Sequence, residues 1–301
     1  MADIPRLNGI IGAWEQGKAA FAAFATPDKP TAIALGTTNY DGLVFEMEHN
    51  PWDITGLQDA LQYLLNRQQI VQSGSLAPAV TPLVRIPANG EEKNQWLAKQ
   101  ALDRGAYGII WPHVTSVEQA MNAVSSSRYP RPKMAPLYEP AGCRGDAPTA
   151  ACRYWGISQQ DYYRKADVWP HNPNGEILTM LMIESVAGIA NLRDILQNVP
   201  GIGAILIGEG DLSQDLGVPR QYDHPLVREA MAEIVACCKA FNVHVGHPHV
   251  TGSNVERVLS EGFSFLMVAP VRSYADLDKG RKLNGRDGTA TTAPKGPQAS
   301  Y

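Results

Sequence analysis

Two carboxylates stand at the ends of apolar runs. Glu184 closes LTMLMIE (178–184) and Asp211 closes GAILIGEGD (203–211). An ionised carboxylate leaving a buried strand is unfavourable unless a cation or a set of donors compensates it. The pair is 27 residues apart, the length of one strand, one helix and one return loop, which sets both at the carboxyl ends of neighbouring parallel strands. Such a pair could hold a divalent ion. It could also be two salt-bridged or helix-capping side chains, and Asp211-Leu212-Ser213 could simply open a helix.

Further groups follow other apolar runs. Glu46-Met47-Glu48-His49 comes after LVF, and Arg85 ends PLVR. A divalent ion held by only two carboxylates keeps positions open for water and substrate, which suits magnesium or manganese. An α-keto acid could fill two of these positions, with Arg85 stabilising charge that develops on its keto oxygen. His49 could move a proton at an acceptor hydroxyl. The amides of Gly210 and Asp211, in a glycine-loosened turn, could hold a substrate carboxylate. Together these groups could make and break a carbon–carbon bond beside a pyruvyl group. Each also has a plainer role: Arg85 in a structural ion pair, His49 as a loop residue before Asn50-Pro51. Strand alternation puts only one of Glu46 and Glu48 toward a barrel interior.

Other signals are weaker. His113 follows Pro112, and His244, His247 and His249 cluster; His247-x-His249 lacks a third zinc ligand at fixed spacing. No lysine falls inside a predicted strand, which argues against a Schiff-base aldolase and for a metal route. There is no dinucleotide fingerprint and no Walker-type loop. The four cysteines have no metal-ligand spacing and read as reduced.

The elements that must position these groups are strand-length apolar runs at 21–25, 43–47, 82–86, 107–111, 178–184, 203–208, 242–246 and 263–269. Helical periodicity lies between them at 56–71, 91–104, 116–126, 186–197, 224–241 and 253–260. Eight such strands alternating with helical segments in 301 residues predict an α/β chain folded as a (β/α)8 TIM barrel. Residues 1–285 are expected to form that single domain and 286–301 a disordered tail. A net charge of −4 with scattered cations gives no footprint for nucleic acid. No apolar stretch approaches the ~20 residues of a membrane span, and the amino terminus lacks signal-peptide features. A cytoplasmic protein is expected. The Pro-, Gly- and aromatic-rich segment at about 129–175 is too long for an ordinary connection.

With these residues assembled, the chain resembles the HpcH/HpaI family of metal-dependent (class II) pyruvate aldolases, typified by 4-hydroxy-2-oxoheptane-1,7-dioate aldolase and including macrophomate synthase. The motifs are LVFEMEH (43–49), PLVRIP (82–87), GIIWPHVTSVEQA (108–120), RYP (128–130), LMIESVAGIANLRDIL (181–196) and GIGAILIGEGDLSQDLG (201–217). The resemblance implies a pyruvate-type (β/α)8 barrel with Glu184 and Asp211 as ligands of Mg, Mn or Co, His49 as base and Arg85 as enolate stabiliser. It implies Glu46 as the carboxylate orienting His49, and the turn holding Gly210, Asp211 and Leu212 as the pyruvate cradle. A homo-oligomer, a hexamer with an exchanged last helix, and Asp103 reaching a neighbouring site are also implied.

Three departures stand out. The family's Asp-Gly-Glu-His is Glu46-Met47-Glu48-His49 here, a family glutamine is Met182, and Gly-Pro-Ala-Asp is Gly208-Glu209-Gly210-Asp211. The 129–175 segment is longer than the family's connection, and its Arg144-Gly145 resembles an element near the site mouth. Trp155, with Tyr154, Tyr162, Tyr163 and Trp169, could line an acceptor pocket for a bulky or aromatic aldehyde, or could simply pack the loop down. The expected function is reversible cleavage of a 4-hydroxy-2-oxo acid to pyruvate and an aldehyde. Alternatives are oxaloacetate decarboxylation with enolate addition, as macrophomate synthase performs, and a non-catalytic keto-acid-binding barrel. A CoA-ester lyase has no adenine or pyrophosphate site to support it.

Overall fold

Continuous apolar runs belong to parallel strands buried on both faces, and here they close on one another. The computed structural model describes residues 4–87, 93, 95–268 and 275–286. Its strands are β1 (Ala20–Ala25), β2 (Gly42–Glu46), β3 (Thr81–Arg85), β4 (Gly108–Trp111), β5 (Val168–Trp169), β6 (Ile177–Ile183), β7 (Ala204–Ile207), β8 (His244–His247) and β9 (Phe265–Val268). All pairings are parallel, and β1-β2-β3-β4-β6-β7-β8-β9 returns to β1. The eight predicted strands are thus the eight staves of a closed barrel. Two-residue β5 is an addition, paired with the start of β6.

The helices are α1 (Gly9–Glu15), α2 (Lys29–Leu35), α3 (Ile54–Leu64), α4 (Arg67–Ser73), α5 (Gln95–Arg104), α6 (Val117–Ser126), α7 (Thr149–Trp155), α8 (Gln159–Lys165), α9 (Val186–Asn198), α10 (Glu209–Asp215), α11 (Pro225–Ala240), α12 (Val255–Glu261) and α13 (Ala275–Leu283). The single helix expected at 56–71 is two, because Asn66 caps α4 by accepting from the Gln69 amide and restarts the helix. Helix α1, which periodicity does not mark, plugs the amino end of the barrel. Its cap Asn8 reaches the Glu176 carbonyl at 3.0 Å, and Ile10 lies so close to Gly42 that a Cβ there would sit 2.6 Å from its Cδ1.

The long segment after α6 also lies at this amino end. A connection from a helix into the next strand returns below the barrel, away from the carboxyl-end face where barrel enzymes carry their chemistry. Trp155 is 1% exposed, stacks on Tyr107 at 4.1 Å and donates to the Gly105 carbonyl at 2.9 Å, all just ahead of β4. The acceptor-pocket role for Trp155 is therefore corrected: its ring is core at the opposite end of the barrel. Arg144 is likewise buried there, its Nη2 2.9 Å from Asp103 and 2.8 Å from the Tyr162 hydroxyl.

Helix α13 packs on its own barrel in this single chain, with Gly280 pressed against Phe21 and Val255. Of the expected tail, Arg286 pairs with Asp41 at 2.7 Å, and 287–301 lie outside the described residues, as do Ala269 and positions 91, 92 and 94 of the helix expected at 91–104. Among the described residues no helix is long and apolar enough to cross a membrane.

Candidate functional site

The groups singled out in the sequence meet where the strands end. Glu46 and Arg85 are register partners on β2 and β3, so their side chains leave the sheet side by side. Arg85 Nε donates to Glu46 Oε2 at 2.6 Å, its Nη2 also pairs with that carboxylate, and Glu48 Oε2 is 3.2 Å from the same Nε. The guanidinium lies 4.7 Å above the Phe24 ring, with Nη1 3.7 Å from Met182 Sδ. The ion-pair role and a site-facing position are thus both realised in Arg85.

Glu46 does something other than orient an imidazole. Its Oε1 accepts from the backbone amides of Glu48 at 2.9 Å and His49 at 3.2 Å, folding the chain back just past β2. This turn ends strand alternation, so Glu46 and Glu48 both point at Arg85. The carboxylate beside the His49 ring is Glu48, 3.6 Å from Nε2, and the His49 side chain is 67% exposed.

Glu184 leaves β6 almost fully buried, 3% exposed, and the next residue, Ser185, caps α9. Its side chain lies directly against Gly208, where any Cβ would collide with it. Glycine at 208 is what lets the β6 carboxylate meet the turn into α10. Asp211 stands in the first turn of α10, whose cap, Gly208, supplies no side-chain bond. Asp211 therefore does not cap the helix. Space beside Gly210 is open, whereas Leu212 is buried and spends its amide on the Gly208 carbonyl at 2.9 Å. Leu212 therefore anchors the turn and offers no donor to a substrate.

His113, weakly marked in the sequence, is the residue the structure adds. It sits at φ +55, an uncommon conformation for a non-glycine residue, and its backbone amide donates to Glu184 Oε1 at 2.5 Å. One ligand atom each from His113, Glu184 and Asp211 lie within 4.8 Å of one another. The one available signal was its place two residues past β4, matching Glu184 past β6.

Charge at this mouth is unbalanced. Burial pushes Glu48 up to about 8; Arg85 opposes the shift, while Glu184, Glu46 and Asp211 add to it. Burial also raises Glu184, with Asp211 adding and His113 opposing. Among the described residues the Asp211 carboxylate has no hydrogen bond or ion pair. Two carboxylates and an imidazole, short of cations and close together, fit a divalent ion by donor chemistry.

His247 and His249 do not form a chelating pair. His247 packs edge-on against Phe263, while the His249 ring bonds Glu209 at 2.6 Å.

A model of the HpcH/HpaI aldolase/citrate lyase family matches residues 21–270. The chain is 29% identical over 266 residues to the 2-dehydro-3,6-dideoxy-6-sulfogluconate aldolase of Pseudomonas putida, covering 88% of each chain. It is 32% identical over 238 residues to the 2-keto-3-deoxy-L-rhamnonate aldolase of Klebsiella pneumoniae, covering 79% of this chain and 77% of that one. A crystal structure of an HpcH/HpaI aldolase/citrate lyase family protein from Burkholderia cenocepacia superposes with a TM-score of 0.69 at 26% identity, over 89% of this chain and 94% of that one.

Proposed function

Because the chain belongs to the HpcH/HpaI aldolase/citrate lyase family, we propose that it is a lyase cleaving a 4-hydroxy-2-oxo acid reversibly to pyruvate and an aldehyde. The observation that carries this is the meeting of Glu184, Asp211 and Arg85 at one barrel mouth. Glu184 and Asp211 would hold a divalent ion, Mg, Mn or Co, which when bound supplies Lewis acidity to the keto oxygen. Arg85, kept in place by Glu46 and Glu48, donates toward the oxygen where negative charge develops as the carbon–carbon bond breaks. His49, exposed beside Glu48, takes the proton from the 4-hydroxyl and returns it in the condensation direction. The open backbone at Gly210 and Asp211 receives the substrate carboxylate.

The relatives' names point to a polar, hydroxylated or anionic aldehyde. With Trp155 buried at the other end, nothing supports an aromatic one. The four free cysteines suit a reducing compartment such as the cytoplasm. A homo-oligomer, in the family's case a hexamer, belongs to the same reading, and sedimentation velocity checks it.

Pyruvate release from a panel of 4-hydroxy-2-oxo acids, with and without added divalent ion, tests the reaction. Glu184→Gln and Asp211→Asn should each remove metal-dependent turnover, a loss of about a thousandfold or ~4 kcal/mol in the barrier. Turnover that survives both substitutions rejects the proposal.

A further inference from the structure

The position of His113 is over-determined. Its backbone is held at φ +55, a conformation a β-carbon disfavours, and the restraint is the 2.5 Å bond from its amide to Glu184. Its two ring nitrogens face two different carboxylates: Nδ1 is 3.6 Å from Glu184 Oε1 and Nε2 is 3.8 Å from Glu48 Oε1. Glu48 is in turn held by Arg85 at 3.2 Å. Two ligand atoms on one small divalent ion, each at ~2.0–2.2 Å, are separated by roughly 3.0–3.4 Å, so the Nδ1 to Oε1 gap needs only a few tenths of an ångström to close. At 3.8 Å the Nε2 contact with Glu48 is longer than a hydrogen bond, but closing it would give a ligating histidine the carboxylate partner that fixes its tautomer and raises its basicity.

We propose that His113 Nδ1 is a third protein ligand beside Glu184 and Asp211, oriented by Glu48, and that this nitrogen tilts the centre toward cobalt, nickel or zinc and away from magnesium. The inference rests on Glu184 and Asp211 holding the ion. A site made only of oxygen suits Mg²⁺, whereas imidazole favours the later first-row ions. Met182, 3.7 Å from Arg85, offers only a thioether, and the His49 ring lies against Glu48, so His113 is the imidazole that groups with Glu184 and Asp211 among the described residues.

Calorimetry on chelator-stripped protein, titrated separately with Zn²⁺, Co²⁺ and Mg²⁺, tests this together with the visible spectrum of the Co²⁺ form. His113→Gln should weaken Zn²⁺ and Co²⁺ binding at least ~10-fold and alter the Co²⁺ bands, while Mg²⁺ affinity changes less than ~3-fold. Glu48→Gln should weaken Zn²⁺ and Co²⁺ by roughly 10-fold while leaving all three ligands in place. His113→Gly, relaxed at φ +55, repeats the test should the glutamine variant fold poorly. Unchanged Zn²⁺ and Co²⁺ affinity in the His113 variants, or an equal loss for all three ions, overturns the assignment. If Glu184→Gln still abolishes binding in that case, the two-carboxylate reading survives. Metal binding that persists in Glu184→Gln overturns both.

Discussion

At the amino end of the barrel, Asp167 is encircled by Arg128 Nε at 2.7 Å, Arg131 Nη2 at 2.5 Å and Asn172 Nδ2 at 3.1 Å. At the carboxyl end, Glu46, Glu48, Glu184 and Asp211 share one arginine and two histidine side chains. Burial raises a carboxyl in both places, yet the arginines hold Asp167 below the usual range, whereas Glu48 is pushed up to about 8. Glu176, at the amino end, is raised by burial but meets Arg6 at 3.1 Å, Lys165 at 3.4 Å and two backbone amides. The amino end is an ionic lock closed by the chain itself. The carboxyl end is a lock lacking a cation, so stability should reside at one end and function at the other.

Removing a cation from the closed lock should give the largest effect. Arg128 is 1% exposed and also donates to the Leu137 and Pro140 carbonyls at 2.6 Å each. Arg128→Ala leaves Asp167 buried with Arg131 alone among its charged partners, a loss of about 3–5 kcal/mol in unfolding free energy read by denaturant titration. Metal affinity of the folded fraction should not change. A variant that folds normally but binds metal poorly would reverse the comparison.

Arg85 is the corresponding arginine at the open end. Arg85→Ala should lower turnover by ~10²–10³, about 3–4 kcal/mol in the barrier, as loss of one donor to a developing oxyanion does. If the loss lies wholly in KM, Arg85 serves ground-state binding and the charge-stabilising role is withdrawn.

Acid sensitivity is shared by the two ends of β8, since burial lowers His247 at its carboxyl end to about 4 as well, and the amino-end half can be tested alone. His244, the first residue of β8, stacks on Trp14 at 4.0 Å, and its Nδ1 lies 2.8 Å from Ser264 Oγ. Burial lowers it from 6.5 to about 4. The fold therefore favours the neutral ring, and its stabilisation is complete above pH 6.5 and falls as pH drops toward 4, by roughly 3 kcal/mol. His244→Phe should flatten the acid limb of the stability curve relative to the parent over that window. Parallel acid limbs would remove His244 from the account.

How much of this could be read beforehand differs between the two ends. Glu184, Asp211, Arg85 and the Glu46 to His49 stretch were legible because each follows an apolar run, and a closed parallel barrel carries all such positions to one rim. His113 was not, since its aim depends on a positive φ and a bond to Glu184, neither of which has a sequence signature. Glu46 and Glu48 were separated by an alternation that stops where Glu46 bonds the amides beyond it. At the amino end, the winding alone put 129–175 between a helix and a strand, hence below the barrel. Its aromatics suggested a pocket, but Trp155 is stacked core. Short helices such as α1 and α2 were missed because one or two turns carry too little periodicity to stand out.

The smallest effect tests how the open end keeps its shape. The family's Gly-Pro-Ala-Asp turn has a proline at the first position of the helix, where a fixed φ pre-organises it. Here that position is Glu209, followed by Gly210, so rigidity must come from elsewhere. Glu209 is 5% exposed and bonds His249 Nδ1 at 2.6 Å, and Tyr222 stacks on the His249 ring at 5.1 Å. This pair ties the first turn of α10, and Asp211 with it, to the loop after β8. His249→Ala should release that turn and raise KM for the oxo acid several-fold to ~10-fold, about 1 kcal/mol, while kcat falls less. Glu209→Pro in the His249→Ala background should restore KM, because proline supplies at that position what the Glu209–His249 contact supplied. If KM stays high in the double variant, His249 acts on the substrate itself and not through the turn.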